Sequence, residues 1–166
     1  MKKVQTAITT DRLILRPMTD EEWTLIVDSV FENDECMFQF GAEKSKELLV
    51  ITDEPNRKAV TYYAVVLKGT DELAGYAGFA QTLSNIEFYV FKEYRCKGYA
   101  CEAIRTFMDS CLKGEITGKP QKKFYAEVNV DNAPCIGLLE KLGFRLFQCG
   151  FNLSGAGLLK FEYVAG

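Results

Sequence analysis

One stretch constrains this chain more than any other: Glu87-Phe88-Tyr89-Val90-Phe91-Lys92-Glu93-Tyr94-Arg95-Cys96-Lys97-Gly98-Tyr99-Ala100. It reads as an apolar strand, a short basic loop and the start of a helix. Arg95, Lys97 and Gly98 fall where the helix begins. The first turn of a helix carries N–H groups with no intrahelical partner and the positive end of the dipole, so it attracts phosphate. Glycine permits a tight turn and a close approach of backbone to ligand. Two cations beside a glycine are a weak motif alone. The immediate succession of strand, basic turn and helix is what aims N–H groups at an anion, and it predicts a pyrophosphate-holding loop.

The flanking elements follow from periodicity and punctuation. Leu13 to Pro17 reads as a strand ended by its proline. Thr19 caps a helix whose first turn holds Asp20, Glu21 and Glu22, with Trp23, Ile26, Val27 and Val30 at helical spacing. Phe31 to Phe40 is expected to be a loop or short helix, Glu43 to Val50 a helix, and Pro55 to Lys58 a loop. The period then changes to two: Tyr62 to Leu67, a turn at Gly69-Thr70-Asp71, and Leu73 to Thr82 read as a hairpin. Ile86 to Phe91 is the next strand. Ala100, Ile104, Phe107, Met108, Cys111 and Leu112 make one apolar helix face ended by Gly114. Phe124 to Val130 is a strand. Asn132 caps a helix with Pro134 in its first turn, and Gly143 closes it. Phe144 to Phe151 and Leu158 to Val164 are the final strands. Hairpins mixed with helical crossovers predict an α/β domain with a mixed sheet, and no linker divides residues 1–166.

Composition narrows the partners. A net charge of −3 and a pI near 5.2 give no support for nucleic-acid binding. No apolar run approaches the roughly 20 residues of a membrane span. The six cysteines form no CxxC pair and histidine is absent, so no metal site is expected. The N-terminus leads into polar residues rather than a signal core, and free thiols fit a cytoplasmic setting. Without histidine, proton chemistry near neutral pH falls to a carboxylate, Tyr, Cys, Lys or water. The number of copies is not fixed by the sequence, and a homodimer is compatible with it.

Arg95-Cys96-Lys97-Gly98-Tyr99-Ala100 resembles the (Arg/Gln)-x-x-Gly-x-(Gly/Ala) signature of the GNAT superfamily of N-acetyltransferases. Thr10-Asp11-Arg12-Leu13-Ile14-Leu15-Arg16 resembles the opening of its ribosomal-protein N-terminal acetyltransferase-like branch. Asn132-Ala133-Pro134-Cys135 with Glu140-Lys141-Leu142-Gly143-Phe144 resembles a later block of that branch. The resemblance implies a GNAT-like fold, with a mostly antiparallel central sheet flanked by helices. It also implies an acetyltransferase using acetyl-CoA as co-substrate. Backbone N–H groups of Cys96, Lys97, Gly98, Tyr99 and Ala100 would take the pyrophosphate, and Arg95 would support the phosphate or the loop. Main-chain groups of Phe88, Tyr89 and Val90 would serve the pantetheine and the thioester carbonyl. Asn132 would reach the pantetheine or acyl end, or simply cap its helix. The acceptor would be an amine: a peptide N-terminus, a polyamine or an antibiotic amine. The stretch from Trp23 to Gly75, which in this superfamily largely sets the acceptor, carries little of the resemblance. A non-catalytic CoA-binding module is the alternative.

Glu87 stands out on its strand. A carboxylate in an apolar strand is costly unless it is paired or functional, and burial would move its pKa toward neutrality. It is the candidate base, with an ion pair at the strand end as the alternative. Cys135 stands where the branch has Ser. A first-turn position predicts a lowered thiol pKa. Three roles are open to it: proton donor to the leaving thiolate, packed side chain, or acyl-cysteine nucleophile.

Overall fold

The computed structural model describes residues 7–32, 60–81, 83–151 and 155–166. Their strands are β1 (Ile8–Thr9), β2 (Leu13–Pro17), β3 (Val60–Leu67), β4 (Leu73–Ala80), β5 (Asn85–Val90), β6 (Lys123–Asn129), β7 (Arg145–Phe151) and β8 (Gly157–Val164). They form one sheet in the order β1-β2-β3-β4-β5-β6-β8-β7. Every neighbouring pair is antiparallel except β5–β6, which is parallel. The helices are α1 (Asp20–Glu32), α2 (Tyr99–Lys113) and α3 (Ala133–Lys141), with a 3-10 turn at Lys92–Tyr94. The mixed, mostly antiparallel α/β sheet expected from the pattern is present. β1 and the 3-10 turn had no signal in the pattern. The elements expected at 33–40, at Glu43 to Val50 and at Pro55 to Lys58 lie outside the described residues. No helix among the described residues is long and apolar enough to cross a membrane.

Helix ends follow local chemistry. Thr19 and Glu22 form a capping box: the Glu22 N–H donates to Thr19 Oγ1 at 3.2 Å and the Thr19 hydroxyl to Glu22 Oε1 at 3.0 Å. The C-termini of α2 and α3 both close through a left-handed glycine. Glu115 N–H bonds to Ser110 O past Gly114, and Phe144 N–H to Leu139 O past Gly143.

Register divides the sheet into two faces, because residues directly opposite one another point the same way. Leu13, Leu15, Tyr63, Val65, Ala77, Phe79, Ile86, Phe124, Ala126, Val128 and Phe161 are buried on one face. α2 covers that face with Ala103, Ile104, Phe107, Met108 and Cys111, and α3 adds Leu139. The Phe107 and Tyr63 rings meet edge to face at 5.6 Å. The buried stripe of α2 includes Ala103, while Ala100 and Leu112 are only half-buried. The other face carries Arg16, Tyr62, Tyr76, Gly78, Glu87 and Tyr89. α1 lies over it and puts Trp23 against Tyr62 and Tyr76.

Candidate active site

The parallel pair β5–β6 is joined by a single rung, Asn85 opposite Tyr125, with the Tyr125 N–H donating to Ser84 O at 2.8 Å. Beyond that rung the strands separate toward their carboxyl ends. The N-terminus of α2 follows the end of β5 after the 3-10 turn and a short loop, and that of α3 follows the end of β6 after three residues. Carboxyl ends of parallel strands beside helix N-termini are where ligands settle in open α/β sheets.

Peptide groups along β5 alternate. Phe91 N–H reaches Ala74 O on β4 at 2.9 Å, whereas Ser84 O faces β6. By that alternation Glu87 and Tyr89 turn their peptide groups to β4, and Phe88 and Val90 turn theirs to the gap. The Phe88 and Val90 side chains lie on the α2 face, while Glu87 and Tyr89 point to the α1 face. Tyr89 thus offers the gap neither its peptide nor its ring, and its hydroxyl lies 2.9 Å from Ser29 Oγ.

The loop after β5 is strained where it turns: Cys96 has φ 60° and Gly98, the N-cap of α2, has φ 81°. Among the described residues, the N–H groups of Cys96, Lys97, Gly98, Tyr99 and Ala100 donate to no backbone or side-chain acceptor. A run of free N–H groups through left-handed turns makes an anion-binding concavity, so the loop fits a pyrophosphate. The cations beside it serve the protein itself. Arg95 Nε donates to Val90 O at 2.8 Å, and its guanidinium lies 5.3 Å from the Tyr89 ring. Lys97 Nζ folds back to Glu93 O at 2.9 Å.

Arg12 comes from the start of β2 to brace this loop. It gives Nη1 to Lys97 O at 2.8 Å and Nε to Glu102 Oε2 at 2.7 Å, and it packs 4.5 Å from the Tyr99 ring. Thr10 Oγ1 bonds the other Glu102 oxygen. Partial burial pushes the Glu102 carboxyl up, but the hydrogen bonds from Thr10 and Arg12 and the Arg12 charge outweigh it and hold the pKa below the usual carboxylate range.

On the α1 face Glu87 is half-buried and its pKa is raised by desolvation. Among the described residues no cation or hydrogen-bond donor pairs with it. Gly78 stands opposite it on β4, and a Cβ there would meet the Tyr62 ring at 3.0 Å. Trp23, Tyr62 and Tyr76 form an aromatic triad with centroids 4.6 to 5.7 Å apart. The Tyr76 hydroxyl pKa is raised well above its ordinary value by burial and then by the Glu87 charge.

At the other lip, Asn132 Oδ1 accepts the Cys135 N–H at 3.2 Å, so the asparagine caps α3. Cys135 departs from the sequence expectation: its side chain is packed against the core, and burial pushes its pKa up to about 11 rather than down. Desolvation overrides the favourable first turn, and the group stays a protonated thiol at neutral pH. Two polar atoms had no place in the sequence reading. Asn85 Oδ1, at the rung, and Asn129 Oδ1, at the end of β6, are both buried without a partner. Their signal was present as asparagine within strand-forming runs, where it is disfavoured.

The model of the acetyltransferase (GNAT) domain matches residues 12–145. No curated protein sequence matches the chain. Among solved structures, a GNAT-family acetyltransferase from Bordetella pertussis is 21% identical, with a TM-score of 0.72 over 96% of this chain and 100% of its own. A ribosomal L7/L12 α-N-protein acetyltransferase in complex with coenzyme A is 14% identical, with a TM-score of 0.68 over 96% and 98%. A spermidine N-acetyltransferase chimera from Vibrio cholerae and human sequence is 17% identical, with a TM-score of 0.66 over 92% and 95%. These likenesses carry the fold, and the family match carries acetyl transfer: the chain belongs to the GNAT acetyltransferase family.

Proposed function

We propose that this acetyltransferase moves an acetyl group from acetyl-CoA to a primary amine by direct attack, with both substrates bound at once. The observation that carries the reading is the coincidence of the opened β5–β6 pair with a loop of free N–H groups at its carboxyl end. The N–H groups of Cys96 to Ala100 hold the pyrophosphate, and the gap-facing peptide groups of Phe88 and Val90 bond the pantetheine amides. Acetyl-CoA supplies the activated thioester. Glu87 accepts the ammonium proton, directly or through water. Its raised pKa supports that role, since a base works best when its pKa approaches the working pH. The departing thiolate takes its proton from solvent, a Tyr or the Cys135 thiol, which burial makes a weak acid and which water must then reprotonate.

The acceptor is a peptide N-terminus, a polyamine or an antibiotic amine. The aromatic triad beside Glu87 supports a cationic acceptor, because aromatic faces attract ammonium groups. The structural neighbours act on acceptors as different as a ribosomal protein and spermidine. Thiol release from acetyl-CoA, measured against N-terminal peptides, polyamines and aminoglycosides, tests the proposal. Turnover on one class names the acceptor. CoA binding without turnover on any amine would replace the proposal with a CoA-binding module. Failure to bind CoA would overturn both.

A further inference from the structure

The Thr10-x-Arg12 motif has no part in the chemistry above, yet it makes the densest polar contact with the anion loop. Thr10 first fixes its own turn: Thr10 N–H bonds to Leu13 O and Leu13 N–H to Thr10 Oγ1, both at 2.9 Å. That turn sets Arg12 against α2. The guanidinium takes the Lys97 carbonyl, and in the same fork it takes Glu102 through Nε at 2.7 Å and Nη2 at 2.6 Å. The Arg12 main-chain N–H adds a bond to Glu102 Oε1 at 3.2 Å.

Two consequences follow for the loop. Lys97 O is the carbonyl that would accept the Cys101 N–H in a continued helix. Arg12 occupies it instead, so the left-handed turn at Gly98 is fixed with its N–H groups outward. A Cβ on Gly98 would stand 3.2 Å from Arg12 Nη2, which shows how tightly the guanidinium closes the back of the turn. Second, Glu102 puts a carboxylate in the first turn of α2, where an anion is to bind. Its charge opposes that anion unless it is neutralised, and Arg12 neutralises it in place.

We propose that Arg12, held by Thr10 and paired with Glu102, is the positioning residue of the pyrophosphate loop. It touches neither acetyl group nor amine. It keeps the loop N–H groups free and cancels the Glu102 carboxylate behind them. The inference rests on the reading that this loop takes the CoA pyrophosphate.

Amide chemical-shift titrations with CoA and with pantetheine, which lacks the pyrophosphate, test it. Arg12→Ala should weaken CoA about ten- to hundredfold, the loss of a charged hydrogen-bonded fork, and leave pantetheine affinity unchanged. Arg12→Lys, which keeps charge but loses the fork, should fall between Arg12→Ala and the wild type. Equal CoA affinity in all three proteins would overturn the proposal. So would parallel losses for CoA and pantetheine, which mark a general structural role. Should Arg12→Ala not fold, the Arg12→Lys titration decides alone, by whether CoA weakens while pantetheine does not. Wild-type protein that binds no CoA would overturn the functional reading instead, before any variant is compared.

Discussion

The two faces of the β5–β6 gap are built by opposite rules. On the loop side the charges are tied down: Arg12 to Glu102 and Lys97 O, Arg95 to Val90 O, and Lys97 to Glu93 O. The main-chain N–H groups of Cys96 to Ala100 remain free among the described residues. On the α1 side Arg16 pairs with Glu22 at 2.8 Å, but one charge is left over. The aromatic rings are packed together, and Glu87 is left without a partner among the described residues. An unchanging anionic ligand needs ordered donors whose surroundings are settled in advance. A proton acceptor needs a group whose charge is not already compensated. Under the proposed function, binding and proton transfer fall on different faces of the sheet.

The sharpest test of that division is Glu87→Gln. It should cut turnover at neutral pH by about a hundredfold or more, the usual contribution of a general base, while CoA affinity measured by titration stays at the wild-type level. The wild-type pH–rate profile should fall on the acid side at a pH above the ordinary carboxylate range, and this limb should vanish in the variant. Loss of CoA affinity in Glu87→Gln would break the comparison.

Gly98→Val should act on the other side. A β-branched residue at φ 81° is strained, and its Cβ would press on Arg12 Nη2. CoA affinity should fall by about tenfold to a hundredfold, from roughly 1–3 kcal/mol of backbone strain. The acid limb that reports Glu87 should persist at saturating acetyl-CoA.

Cys135 gives a smaller effect. Cys135→Ser should hold turnover within about fivefold and Cys135→Ala should lose about tenfold, as a modest proton donor would. Intact-mass analysis after mixing with acetyl-CoA should find no acetylated enzyme, and a trapped acyl-cysteine would instead support the nucleophile.

The smallest effect is on stability. The folded pKa of Glu87 is raised, so the folded state holds its proton more tightly than the unfolded chain does. Ionisation therefore costs stability as pH rises from the unfolded pKa through the folded one, and the penalty is complete above it. Glu87→Gln should raise the Tm at neutral pH, with the gain vanishing below the unfolded carboxylate pKa. A lower Tm at neutral pH would mean that Glu87 has an ionic partner.

Much of the frame was legible because it is local. The strand–loop–helix at 87–100, the Thr19–Glu22 capping box and the glycine stops at 114 and 143 each rest on residues a few places apart. What could not be read depends on distance and depth. Arg12 and Glu102 lie 90 positions apart, and only the antiparallel run from β2 to β5 brings them together. The Cys135 thiol follows its burial rather than its place in the helix. The direction of the Tyr89 peptide depends on one register with β4, where a shift of one residue would exchange it with Val90. Glu87 was conspicuous in sequence as a charge in an apolar strand, but its lack of a partner becomes visible only with its neighbours in place.

The lone rung between Asn85 and Tyr125 has a consequence for how the molecule opens. β1 to β5 form one ladder and β6, β8 and β7 another, and between them the sheet has one paired position. Breathing should begin at this seam, as cooperative units separate where few bonds cross. A pantetheine arm lying between Phe88 and the β6 edge would bridge the two ladders like an extra strand. Amide exchange at Phe88 and Val90 should then be fast in the free protein and slow with CoA bound, making the ligand a suture for the sheet that receives it.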